Sequence, residues 1–150
     1  MTDLSRKIRL ADAMAEDFER DQLLDGIEPE KIQSQITRSK ERITSAPVVI
    51  LLCLEMTEMD VYPDARRQRA EQAMAMQSLA AAGLQLLLAA HAEGLGGVWV
   101  CSPLFTQETI KRALGLPGTW EPQGMFFVGY AAQNPALRER KNIESISLFL

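Results

Sequence analysis

Chemistry in this chain has few places to sit. The turn Cys101-Ser102-Pro103 follows an apolar run and leads into a helix start at Thr106. Backbone N–H groups in that position can donate to carbonyl or anionic atoms. Further on, Arg138-Glu139-Arg140-Lys141 gathers cations. At the end of a sheet, two or three of them can clamp a phosphate, arginine through two parallel hydrogen bonds. The plainer alternative is a solvated surface run. His91 is the single histidine. Its place in the last turn of a long helix suits the helix C-terminus, and it reads as a structural or interface imidazole rather than a catalytic base. Gly94-Leu95-Gly96-Gly97 follows a helix rather than a strand, and no third glycine opens a helix after it. It reads as a helix stop and tight turn, not as a dinucleotide fingerprint. There is no G-x-S-x-G and no Walker loop. One histidine and two distant cysteines do not make a usual zinc site. No catalytic side chain and no metal ligand is therefore expected.

The elements that must position these residues follow from periodicity. Thr2 to Leu24 reads as a helix, with Ile8, Ala11, Met14 and Phe18 on one face and Asp25-Gly26 as its end. A second, largely solvated helix starts at Glu28-Pro29 and runs to about Ile43. Ala46-Pro47 breaks it. Val48 to Leu54 is a continuous apolar run, the pattern of a strand buried on both faces. After a loop from Met56, a long helix spans about Asp64 to Glu93. From Ala73 it is apolar nearly all round, so it must be covered on every side. A chain of 150 residues can hardly do that alone, and part of the helix is expected to face another subunit. Its length matches a bilayer span. However, Gln77, Ser78, Gln85 and His91 favour a core or interface helix over a membrane one. Gly97 to Val100 is expected to be a short buried strand. Thr106 caps a helix over Gln107 to Leu114, and Met125 to Tyr130 forms a third strand. The tail from Ile143 to Leu150 reads as a strand or arm that needs a docking site. The order predicts one domain over residues 1–150, a sandwich of helices around a small sheet.

Hydrophobic content is 47% and charged content 24%, ordinary for a globular domain. The net charge of −4 argues against nucleic acid as the main partner. Cys53 and Cys101 lie in apolar runs and read as buried reduced thiols of a cytoplasmic protein.

The order A-A-H-A-E-G-L-G-G-V-W-V, S-P-L-F, L-G-L-P, G-M-F-F-V-G-Y and R-x-R-K, with an acid at Glu144, resembles the nitroreductase superfamily of flavin mononucleotide (FMN) enzymes. W-E-P-Q-G-M-F-F-V-G-Y, D-A-M-A-x-D-F and D-Q-L-L-D-G are similar to the flavin domain attached to ligases of deazaflavin-coenzyme biosynthesis. The resemblance implies an α+β fold: a three-layer α/β/α sandwich around a small mixed sheet, in an obligate homodimer whose long helices pack together. It implies FMN as cofactor, with the Cys101-Ser102 turn near the flavin ring and Arg140, flanked by Arg138 and Lys141, at its phosphate. It implies hydride transfer from a reduced nicotinamide through flavin to a small acceptor. Two stretches of the family are not among these residues: an R-S-x-R-type phosphate segment and a P-S-x-x-N-x-Q-P-W stretch along the flavin. A second reading therefore stands beside the enzyme: a shortened, flavin-poor relative acting as a dimeric ligand-binding or scaffold protein.

Overall fold

The computed structural model describes residues 1–150 except Asn134, Leu137, Arg138, Phe149 and Leu150. Helix α1 (Leu4–Leu24) starts where the Asp3 carboxylate accepts from the Arg6 N–H at 2.8 Å. It ends at Gly26, whose φ of 75° suits a residue without Cβ. Helix α2 (Pro29–Ser45) opens with proline at its first position, where no N–H is needed. It buries only Ile32, Ile36 and Ile43 and is otherwise largely solvated, as its sparse apolar spacing predicts. The buried Lys7 ammonium ties the two helices together. It donates to the carbonyls of Thr44 (3.1 Å) and Ala46 (2.7 Å), groups left open at the end of α2.

Strands β1 (Val48–Glu55), β2 (Gly96–Val100) and β3 (Trp120–Gly129) form one sheet in the order β1-β3-β2. Where a mixed sheet is expected, both pairings are antiparallel. β3 begins five residues before the apolar run that announces it, because Trp120–Gly124 pairs with β1 across a bulge at Leu52/Cys53. Pro122 falls at that bulge, beyond the reach of β2, where a missing N–H breaks no ladder.

Alternation along β3 makes the layers. Met125 and Phe127 face α1 and α4 (Gln107–Leu114), in a core with Leu10, Met14, Ile43, Val49 and Ile110. Phe126 points the other way, to α3 (Ala65–Ala92), where it meets Trp99 edge-on at 5.0 Å. The three-layer sandwich is thus present.

Burial corrects three expectations. β1 is an edge strand in which Val49 and Leu54 are buried and the four residues from Ile50 to Cys53 are half-buried. β2 is likewise an edge, and Val98 is exposed. Cys53 is half-buried and Cys101 exposed, so neither thiol is a core group. The continuous apolar runs predict two covered faces, whereas this single chain covers them incompletely.

The same is true of α3. Asp64 caps it, accepting from the Arg67 N–H at 2.9 Å, and Gly94 ends it with a φ of 76°. Yet only Glu71, Ala75 and Gly83 are buried along its 28 residues. By length and composition α3 also suffices to cross a membrane. The tail is not a strand among its described residues. Ile143–Ser145 forms one exposed 3-10 turn, with Ile146 and Leu148 exposed beyond it; Phe149 and Leu150 lie outside the described residues.

Candidate functional site

The turn after β2 opens into a cavity of about 680 Å³. That falls within the roughly 300–1,000 Å³ usual for small-molecule sites. Three elements build it. From α1 come Ala11, Met14, Ala15 and Phe18, a stripe at helical spacing, with Gln22 and Asp25 towards the helix end. From α2 come Gln35, Ile36, Arg38, Ser39 and Arg42, again one face of a helix. The third wall is Cys101, Ser102, Phe105 and Thr106, held in a short 3-10 turn (Ser102–Phe105) between β2 and α4. Pro103 is buried beneath that turn and fixes it against β3.

Polar groups on the walls differ in how well they are matched. Lys40 pairs with Asp12 at 2.7 Å, and Asp21 accepts from Arg20. Arg42 lies over the Phe127 ring, 5.8 Å from its centroid, a favourable cation–π placement. Arg38 and Arg42 form no ion pair with a described residue. Thr106 stands at the N-cap position of α4, as predicted, but makes no capping bond. Its hydroxyl is buried, at 7% residue exposure, and has no hydrogen-bond partner. A buried hydroxyl left unmatched is costly.

Of the residues singled out in the sequence, Cys101 and Ser102 are brought to this cavity. Arg140 and Lys141 are exposed in the segment before the last 3-10 turn and are not among its lining residues. Arg138 lies outside the described residues. His91 is exposed near the end of α3. Missed from sequence were Arg38, Arg42 and the free hydroxyl of Thr106. The first two sit on a helix whose polar face looks merely solvated. Their spacing of four, with Gln35 and Ser39 on the same stripe, was the available signal. Among the described residues no cluster of His, Cys, Asp or Glu suits a metal ion.

The described residues thus form a layered α+β fold with a cavity beside a strand-end turn, a concavity of small-molecule size. Comparison with known proteins makes the class specific. The profile described as the Nitroreductase family matches residues 4–130, and the chain belongs to that family. A protein of Methanothermobacter thermautotrophicus, provisionally described as an NADH dehydrogenase/NAD(P)H nitroreductase, is 31% identical over 108 residues. The match covers 71% of this chain and 51% of that protein, so the chain spans about half the length of this curated relative. Among solved structures, a BluB-like flavoprotein from Clostridium difficile 630 superposes with a TM-score of 0.77 at 20% identity. It covers 100% of this chain and 77% of its own. An NADPH:FMN oxidoreductase from Vibrio harveyi, solved with NAD+, gives 0.63 at 19% identity, covering 99% of this chain and 55% of its own. NfrA1 nitroreductase from B. subtilis gives 0.65 at 13% identity, over 99% and 54% of the two chains. These likenesses establish the fold.

Proposed function

We propose that this chain is an FMN-dependent oxidoreductase that works as a cytoplasmic homodimer and passes hydride from a reduced nicotinamide to a small acceptor. The observation that carries the reading is the cavity beside Cys101-Ser102. Its apolar walls suit a flat ring, and the backbone of the turn suits the ring's polar edge. When bound, a flavin supplies the two-electron redox chemistry. This chain's residues then bind, orient and exclude water. Met14, Phe18 and Ile36 flank the ring, and the turn at Cys101-Ser102 faces its edge. Arg140, with its sequence neighbours Arg138 and Lys141, is proposed for the phosphate.

The dimer reading is supported by α3. Met74, Met76, Leu84 and Leu88 are exposed on it. A contiguous apolar surface of this kind is uncommon on a monomer and marks an interface. Ala80, Ala81 and Ala82 permit close approach of a second helix.

One observation favours the second reading, a dimeric ligand-binding or scaffold protein: Arg140 and Lys141 do not line the cavity. An absorbance spectrum of the purified protein, mixed with FMN and then desalted, separates the two. A retained yellow band is the expected result. A colourless protein that also fails to quench added flavin would remove the oxidoreductase reading and leave the binding protein.

A further inference from the structure

The open edge of β1 already holds one residue of a further strand. Met1 and Val49 exchange both backbone hydrogen bonds, Met1 donating to the Val49 carbonyl at 2.7 Å and accepting from the Val49 N–H at 2.9 Å. That reciprocal exchange is the hydrogen-bonded pair of an antiparallel ladder. Alternate residues of a strand turn their N–H and C=O to the same side, so those of Leu51 and Cys53 also face outward. Pro122, which has no N–H, stands opposite Cys53 on the β3 side and fits that orientation. Among the described residues no hydrogen bond from outside the sheet reaches the backbone of Leu51 or Cys53. Residues 48–54 carry neither charge nor proline, the usual guards of a bare edge. Beside them lies a trough of about 280 Å³, lined by Met1, Leu51, Cys53, Leu114, Leu116 and Trp120. Met1, Leu51, Leu114 and Leu116 pack on the core, yet each is only half-buried.

We propose that this edge is a docking site for an extended segment joined to Met1, antiparallel to β1 and apolar at alternate positions. The register follows from the Met1–Val49 pair. The second residue ahead of Met1 falls opposite Leu51 and the fourth opposite Cys53. Their side chains lie on the face that Met1 already occupies, over the trough. Such a segment satisfies the outward backbone groups and covers the half-buried apolar ones together. A segment joined to Met1 is favoured over a free one, because Met1 fixes its direction and register before it pairs. A strand from a second copy meets Met1 at Val49 and has only the rest of the edge to pair with. The trough shares no lining residue with the cavity beside Cys101-Ser102, so the proposal stands apart from the oxidoreductase reading.

The test is amide hydrogen exchange on the full chain and on two forms lengthened ahead of Met1. One extension alternates threonine and valine, with valine at the second and fourth places before Met1. The other, of equal length, alternates glycine and serine. In the unextended chain the Val49 amide is expected to exchange slowly and those of Leu51 and Cys53 freely. The threonine–valine extension should slow Leu51 and Cys53 about tenfold or more relative to the glycine–serine one. It should also slow alkylation of Cys53, with the exposed Cys101 as internal reference. Equal exchange at Leu51 and Cys53 in the two extended forms would overturn the proposal. So would slow exchange at both in the unextended chain. Protection that grows with protein concentration assigns the edge to a second copy, and protection independent of concentration shows that the edge is not open.

Discussion

At the residue scale, the chain divides its polar groups into those that are matched internally and those left for something else. Asp17 is of the first kind. Burial pushes its carboxyl up, but the Thr109 hydroxyl, Arg20 and Arg112 outweigh burial and hold it below the ordinary value of 3.8. A carboxylate with a depressed folded pKa contributes stability above its unfolded value, and that stability is lost as pH falls through the folded one. Thermal melts should therefore fall more shallowly below pH 3.8 in Asp17→Asn than in the parent chain. Identical slopes would show that Asp17 does not link folding to acid. Arg140 is of the second kind, exposed and clear of the cavity. If it holds the cofactor phosphate, Arg140→Ala should weaken FMN about tenfold or more while leaving riboflavin unchanged, since a charge-assisted hydrogen bond contributes about 1.5–3 kcal/mol. Unchanged FMN affinity by fluorescence titration would remove the clamp from this segment. Cys53 is neither kind: partial burial raises its thiol pKa, which lowers its thiolate fraction.

At the element scale, the sheet decides how closely α3 can approach. Gly83 is the contact point. A Cβ there would lie 2.9 Å from the Phe126 ring and 3.1 Å from Trp99. Both neighbours are rigid rings, one of them fully buried. Gly83→Val is expected to cost about 1–3 kcal/mol by overpacking, measured by urea denaturation. A neutral result would mean that α3 shifts freely on the sheet. Gly124 makes the matching space on the strand side. A Cβ there would stand 2.6 Å from the Trp99 Nε1, which is itself buried without a partner. The Trp99–Phe126 pair thus fills the room that two glycines leave open. On the opposite face of the sheet, α1, α2 and the turn after β2 wall the cavity.

At the scale of the whole molecule, a helix 28 residues long has only three of them buried. The exposed apolar surface of α3 must be covered by something, and a second copy of the chain is the proposed cover. Ala81→Glu is expected to convert the dimer to a monomer in light scattering coupled to size exclusion. Persistence of a dimer would move the interface elsewhere.

Much of this was legible in the sequence because it is local. Helix limits follow from Asp3, Asp64, Gly94 and Gly115, whose caps and positive φ angles need only neighbouring backbone. The unsatisfied apolar demand of α3 was legible too, since hydropathy all round a helix requires cover whatever the fold. So was the order of motifs that resembles the nitroreductases. What tertiary structure alone decided is non-local. The antiparallel sense of the sheet, and the bulge that admits Pro122, depend on which strand lies beside which. The half-burial of β1 depends on what packs over it, whereas an apolar run states only a preference. The cavity required Arg38 and Arg42 of one helix, Phe18 of another and Thr106 of a later turn to converge. Each is unremarkable along its own element. Their meaning comes from distance in space, which spacing along the chain does not encode.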